Sequence, residues 1–194
     1  MIINHTELLN ALIQKYGLKS YLEIGVQNPA NNFDKVRLPS TSKVGVDPEC
    51  DSFNILPETS DKFFEHCSRV FDLIFIDGFH EKDQVKRDFE NSLRCLSDNG
   101  FIVIHDVLPE NESGTIVPRE TKQWWGDIYK WAMLICSYKD IRYKTFNIDN
   151  GCMVVWKYPG EMNDYGKIIA ADMNWQTYLK IGHVLMNVTS TVEI

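Results

Sequence analysis

Two short apolar runs, Phe71-Asp-Leu-Ile-Phe-Ile76 and Phe101-Ile-Val-Ile104, constrain this chain more than any other feature. Each ends abruptly in an acid with a histidine beside it: Asp77 with His80, and Asp106 with His105. Nearly continuous apolar runs of this length read as strands covered on both faces, the habit of a parallel sheet. In an open α/β sheet, ligands bind just beyond the carboxyl ends of the strands. All four polar residues are therefore expected on the rim where function lies.

The surrounding sequence supplies the rest of such a sheet. Leu8, Leu9, Leu12, Ile13 and Tyr16 have helical spacing, with an Asn4/Glu7 capping pair and Gly17 as the stop. Tyr21–Ile24 reads as the first strand and Lys43–Val46 as the second, with a polar loop and a short helix from Phe33 between them. Thr59 or Ser60 caps a helix through Phe63, Phe64 and Cys67. Val85, Phe89, Leu93 and Leu96 then share one helical face, closed by Asn99-Gly100. Strand and helix alternate from residue 1 to 106, which predicts an α/β, doubly wound, mostly parallel sheet. Val107 to Glu120 has loop composition. Trp124, Ile128, Trp131 and Ile135 form a helical stripe, with Trp131 expected in the core and Trp124 or Trp125 at a pocket mouth. The Arg119–Lys122 charges read as a solvated helix start. Arg142–Phe146 and Cys152–Trp156 are too close for a crossover helix, so they predict an antiparallel hairpin, with Asp149-Asn-Gly-Cys152 as turn chemistry. A final helix is expected over Asn174–Val188. The organisation is one domain over 1–194: an N-terminal helix (1–17), a core (18–157) and a helical extension (158–194).

Composition narrows the function classes. The 194 residues carry 20 basic and 27 acidic side chains, a net charge of −7, and no Lys/Arg run. That lacks the electrostatic footprint of nucleic-acid binding, so no nucleic-acid partner is expected. No apolar stretch approaches the ~18 residues of a membrane span, and no signal peptide is visible. The five cysteines are odd in number and contain no Cys-x-x-Cys pair. They read as reduced thiols of a cytoplasmic protein.

The order of elements and the strand-end signals resemble the class I S-adenosylmethionine-dependent methyltransferases. Tyr21-Leu-Glu-Ile-Gly25 resembles the family's first motif, and Val44-Gly-Val-Asp47 the second. Phe71–His80, the amphipathic helix after it and Ile104-His-Asp106 are similar to a branch of small bacterial methyltransferases acting on natural-product sugars or, with a metal, on catechols. The resemblance covers roughly residues 18–157 and implies a Rossmann-like, seven-stranded sheet ending in an antiparallel hairpin. It implies S-adenosylmethionine as cofactor. The chain departs from the first motif in one respect: Gly25 is followed by Val26, Gln27, Asn28 and Pro29, where the family carries further glycines.

By this resemblance, Gly25 approaches the methionine part of the cofactor, Glu23 helps hold its ammonium, and Asp47 accepts from the ribose hydroxyls. Ser60 and Asp61 lie near the adenine, or are simply a helix cap and its dipole partner. Asp77 belongs to both the cofactor and the chemistry sets. Methyl transfer to a hydroxyl needs alignment, exclusion of water and removal of a proton. His80 is the first choice as general base, with His105 as a further candidate; both also read as loop residues orienting the carboxylates. Asp77 and Asp106 are candidate ligands for Mg²⁺ or another divalent cation. His105 stands where metal-dependent relatives often have a second acid, and imidazole suits softer ions than Mg²⁺. The leading expectation is methylation of an oxygen on a small molecule such as a sugar, with no membrane partner and a homodimer compatible with the sequence. A non-catalytic binding module and a metal-dependent oxidoreductase on the same scaffold are the alternatives.

Overall fold

The computed structural model describes residues 2–162 and 173–190. Eight strands form one sheet in the order β3-β2-β1-β4-β5-β7-β6-β8. Its parallel centre comprises β1 (Tyr21–Ile24), β2 (Lys43–Val46), β3 (Ile55–Leu56), β4 (Phe71–Ile76) and β5 (Leu96–Ile104). The hairpin of β6 (Lys139–Phe146) and β7 (Cys152–Met162) joins through the antiparallel pairing of β7 with β5. β8 (Val188–Thr189) pairs parallel with β6 and is the strand beyond the expected seven. It forms because Asn187 Nδ2 donates to the Tyr143 carbonyl and Thr145 N donates to the Asn187 carbonyl, closing the edge of β6.

Strand alternation divides the core between two faces. Ile74, Ile76, Ile102 and Ile104 pack with Phe89 and Trp131, on the side of α2 (Ser60–His66), α3 (Lys82–Cys95) and α4 (Ile128–Leu134). Leu73, Phe75, Phe101 and Val103 pack with Leu8, Leu9 and Leu12 of α1 (His5–Tyr16) on the other. The α1 ends are the expected ones. Asn4 Oδ1 accepts from Glu7 N at 2.9 Å, Glu7 reaches back to Ile3 N at 2.8 Å, and Gly17 takes φ of 65°. Thr59, rather than Ser60, caps α2 through Lys62 N.

Several boundaries differ from expectation. α3 stops at Cys95, and Asn99-Gly100 lies inside β5, because Leu96 already pairs with Phe71 and an irregularity before Leu73 absorbs the extra residues. The aromatic stripe is helical only over α4, followed by a 3₁₀ turn at Ile135–Ser137. Trp125 is buried in the core with Trp131, whereas Trp124 is half-exposed. Arg119–Lys122 is irregular and starts no helix. The Asn174–Val188 segment is a broken helix, with a π-helical turn at Tyr178–Gly182 where Gly182 packs on the Tyr178 ring, and it ends before β8. Its earlier stretch, from residue 163, lies partly outside the described residues.

Candidate active site

The rim forms where β1, β2, β4 and β5 end side by side. Gly25 N donates to the Val46 carbonyl, Asp77 N to that of Ile24 and His105 N to that of Ile76, so the chain leaves all four strands at one level. A cavity of about 790 Å³ opens there, and all nine residues expected at the site line it. Gly25 has φ of 87°, and a Cβ there would lie 2.3 Å from the Asp77 carbonyl oxygen. The one glycine of the first turn is thus required by the crossing of the β1 and β4 ends, as well as by any ligand placed above it.

Face parity places the polar groups. Tyr21 and Glu23 point to the α1 face, where Glu23 Oε2 accepts from the Tyr21 hydroxyl at 2.5 Å and from Asn32 Nδ2 at 2.9 Å. Burial pushes the Glu23 carboxyl up to about 8, against these two hydrogen bonds. Asp47 closes β2. Its Oδ2 accepts from Gln27 N at 2.7 Å and its Oδ1 from Glu49 N at 2.8 Å. Each oxygen keeps a second lone pair for a ligand.

Asp77 and His105 continue the same parity as Phe75 and Val103, and so also face α1. His105 Nδ1 lies 3.2 Å from Asp77 Oδ1 and 3.5 Å from Asp106 Oδ1. Its Nε2 lies 2.7 Å from the Asp149 carbonyl oxygen. Acceptors on both sides of the ring fix it as the doubly protonated imidazolium. Burial opposes that charge, but Asp77, Asp149 and Asp106 outweigh it and hold the imidazole well above its usual range. In turn, Asp77 stays well below the carboxylate range despite burial, because His105 and His80 stabilise its charge. Asp106 moves upward through burial. His80 sits between these acids, 3.4 Å from Asp77 Oδ1 and 3.5 Å from Asp106 Oδ2. Burial lowers its pKa, but the two carboxylates more than offset this and raise it above 6.5. His80 Nδ1 and Asp106 Oδ1 are buried without a hydrogen-bond partner. Such orphaned groups in a cavity point to a ligand that completes them.

Residues 22–107, from β1 to just beyond β5, match a sequence-family model described as a methyltransferase domain. Solved methyltransferase structures share the fold across most of the chain. One, from Podospora anserina and bound to S-adenosylhomocysteine, aligns with a TM-score of 0.60 at 15% identity, over 78% of this chain and 77% of that one. The O-methyltransferase TomG of Streptomyces achromogenes, involved in tomaymycin synthesis and in complex with S-adenosylmethionine, gives 0.58 at 14% identity over 79% of each chain. An O-methyltransferase of Bacillus cereus in complex with S-adenosylhomocysteine gives 0.58 at 18% identity, over 80% of this chain and 82% of that one.

Within the matched region Ser60 and Asp61 stand on the cavity wall at the start of α2. Gln84 Nε2 reaches both, at 3.2 Å and 3.3 Å, and Arg87 Nε lies 3.4 Å from Asp61. Segments outside the matched region complete the rim of the cavity. His5, at the start of α1, approaches Asp149 Oδ2 through Nδ1 at 2.5 Å and sets its ring 4.7 Å from that of His105. Asp149 belongs to the β6–β7 turn, which packs on the chain after Asp106: Leu108 N donates to the Asn150 carbonyl at 2.8 Å. Asp127 holds the His80 loop, accepting from Lys82 N at 2.7 Å and donating its own N–H to the His80 carbonyl at 3.2 Å. Gly126 allows that approach, since a Cβ there would meet the His80 carbonyl oxygen. Sequence reasoning missed His5, Asp127 and Asp149 as site components. The available signal was strand parity, which would have sent His105 toward α1.

Proposed function

We propose that the protein transfers a methyl group from S-adenosylmethionine to an oxygen of a small molecule, with a sugar hydroxyl as one acceptor class. One observation carries this reading: a single cavity joins the Gly25 turn and Asp47 to the His80–Asp77–Asp106 cluster. When bound, the cofactor supplies an electrophilic methyl group on a sulfonium. The Gly25 and Gly78 backbones border its path, and the spare lone pairs of Asp47 suit two ribose hydroxyls. Glu23 and Asp77 face the part of the cavity where an ammonium or sulfonium would be welcome. Ser60 and Asp61 are positioned for the adenine edge. Solved O-methyltransferases of this fold with bound cofactor or product support the assignment.

His80 takes the acceptor proton. Trp124 stacks on its ring at 5.5 Å and 14°, holding the imidazole in place and covering it from water. Asp77 and Asp106 steady the protonated His80, and the His105 imidazolium keeps Asp77 ionised. A cytoplasmic setting fits the five free thiols. Isothermal titration with S-adenosylhomocysteine tests the reading. Saturable heat for the wild type, reduced at least tenfold in affinity by Asp47→Ala, is expected. Absence of heat from the intact protein would overturn it.

A divalent cation is a second reading, in which the cation in place of His80 activates the acceptor hydroxyl; it is favoured by the unpartnered His80 Nδ1 and Asp106 Oδ1. Asp77, His80 and Asp106 offer donor atoms within 4.8 Å of one another. Such a cation would acidify the acceptor hydroxyl. One imidazole with two carboxylates suits Mn²⁺ better than Mg²⁺. Titration of the chelator-treated protein is expected to show tighter Mn²⁺ than Mg²⁺ binding, lost in Asp106→Asn. Equal or stronger Mg²⁺ binding would refute this donor-set argument.

A further inference from the structure

Six carboxyl groups and three imidazoles line the cavity. Glu23, Asp47, Glu49, Asp61, Asp77 and Asp106 all line it, yet only one lysine or arginine does so among the described residues: Arg119. The Arg119–Lys122 segment starts no helix and instead folds back toward the site. Arg119 Nε donates to the Thr121 carbonyl at 3.0 Å, and its Nη2 to the Lys122 carbonyl at 2.5 Å. The guanidinium is also held against the Trp124 ring, 5.8 Å from its centroid. Trp124 itself is fixed, because its indole N–H donates to the Ile116 carbonyl at 2.7 Å.

The group is therefore pre-positioned, and as an exposed side chain it turns its remaining donors to solvent. A guanidinium has five N–H donors, and the two bonds above leave three without a partner among the described residues. No carboxylate of the described residues forms an ion pair with it, although the cavity holds six. Trp124 packs against both Arg119 and His80, at 5.8 Å and 5.5 Å from its ring centre, so one indole ring links the guanidinium to the base. Exposed Phe79 stands edge-on to the same indole at 6.5 Å and adds an apolar flank.

We infer that Arg119, fixed against Trp124, is the acceptor-orienting subsite, and that the acceptor carries an anionic group, a carboxylate or a phosphate, opposite the hydroxyl to be methylated. This rests on the methyl-transfer reading and narrows its acceptor class. The physical logic is repulsion as much as attraction. Asp47, Glu49 and Asp61 disfavour an anion along the β2–α2 side of the cavity, so a negatively charged acceptor enters with its anionic end at Arg119 and its hydroxyl toward His80. A planar fork with free donors is the geometry that carboxylates and phosphates accept in bidentate fashion.

The test follows the Arg119 Nε–H and Trp124 Nε1–H signals by NMR, assigned with Arg119→Gln and Trp124→Phe, in protein with and without S-adenosylhomocysteine. Four probes are titrated: 4-hydroxybenzoate and glucose 6-phosphate, with 4-hydroxybenzamide and glucose as their neutral counterparts. Saturable shifts of both signals with at least one anion, and at least tenfold weaker response to its neutral partner, are expected. A response to one anion alone assigns the subsite to carboxylate or to phosphate. Arg119→Gln should abolish the Trp124 response. No response to either anion, or equal response to charged and neutral partners, overturns the inference. S-adenosylhomocysteine binding is read in the same samples, so loss of the methyl-transfer reading shows separately from failure of the Arg119 subsite.

Discussion

On the proposed reading His80 is the base, and its surroundings set a pH rule. Asp77 and Asp106 hold its proton on beyond the usual 6.5. Below that raised pKa the ring is protonated and accepts nothing. The turnover number should therefore rise with pH, with a midpoint above 6.5. His80→Gln should lower it by about 10²–10⁴-fold and remove this ascending limb. S-adenosylhomocysteine affinity, measured alongside, should stay within about twofold; a mutant with unchanged turnover would exclude His80 as the base. At this scale the sequence was legible where an apolar run stops at an acid, which marks Asp77, His80, His105 and Asp106. It was silent on His5 and Asp149, because their contact spans 144 residues and neither has a run or motif to mark it.

Elements were readable where one signal governed them. β1 and β2 have the expected limits because Tyr21–Ile24 and Lys43–Val46 are short apolar segments between polar loops. The junction of α3 and β5 was not, because Asn99-Gly100 has the chemistry of a helix stop and yet sits in a strand irregularity imposed by pairing with β4. Tertiary pairing outweighed local preference there. The tie from α1 to the β6–β7 turn is equally invisible locally, and it makes α1 part of the rim. His5→Ala should speed amide hydrogen exchange in the first turn of α1 and in residues 147–151, while the sheet remains protected. Identical exchange in mutant and wild type would show that the His5–Asp149 contact bears no load.

For the molecule as a whole, the cost of the site appears in its stability. Glu23 ionises near 4.5 when unfolded but only at about 8 in the fold. Between those values the native state binds the extra proton, so stability falls as pH rises, by up to about 1.36 kcal/mol per unit. Chemical denaturation from pH 5 to 8 should show this decline, and Glu23→Gln should flatten its part between pH 5 and 6.5, above which His80 and His105 add their own decline. A wild type as stable at pH 8 as at pH 5 would contradict a protonated Glu23. The penalty arises where a carboxyl is buried beside Tyr21 and Asn32 and faces a cavity suited to a positive ligand, so a cation arriving there would help restore its charge.

β7 runs against its neighbours, and that reversal has an architectural result. In a wholly parallel sheet only the trailing ends of strands reach the functional edge, and each return trip must cross the molecule. The reversed strand brings a tight hairpin tip to that edge instead, with Asp149, Asn150 and Gly151 all at positive φ. A tip of this kind carries Asp149 to His105 and His5, so a contact made far along the chain braces the rim. The reversed strand thus acts as a buttress, fixing through Asp149 the ring of His105 that in turn faces Asp77.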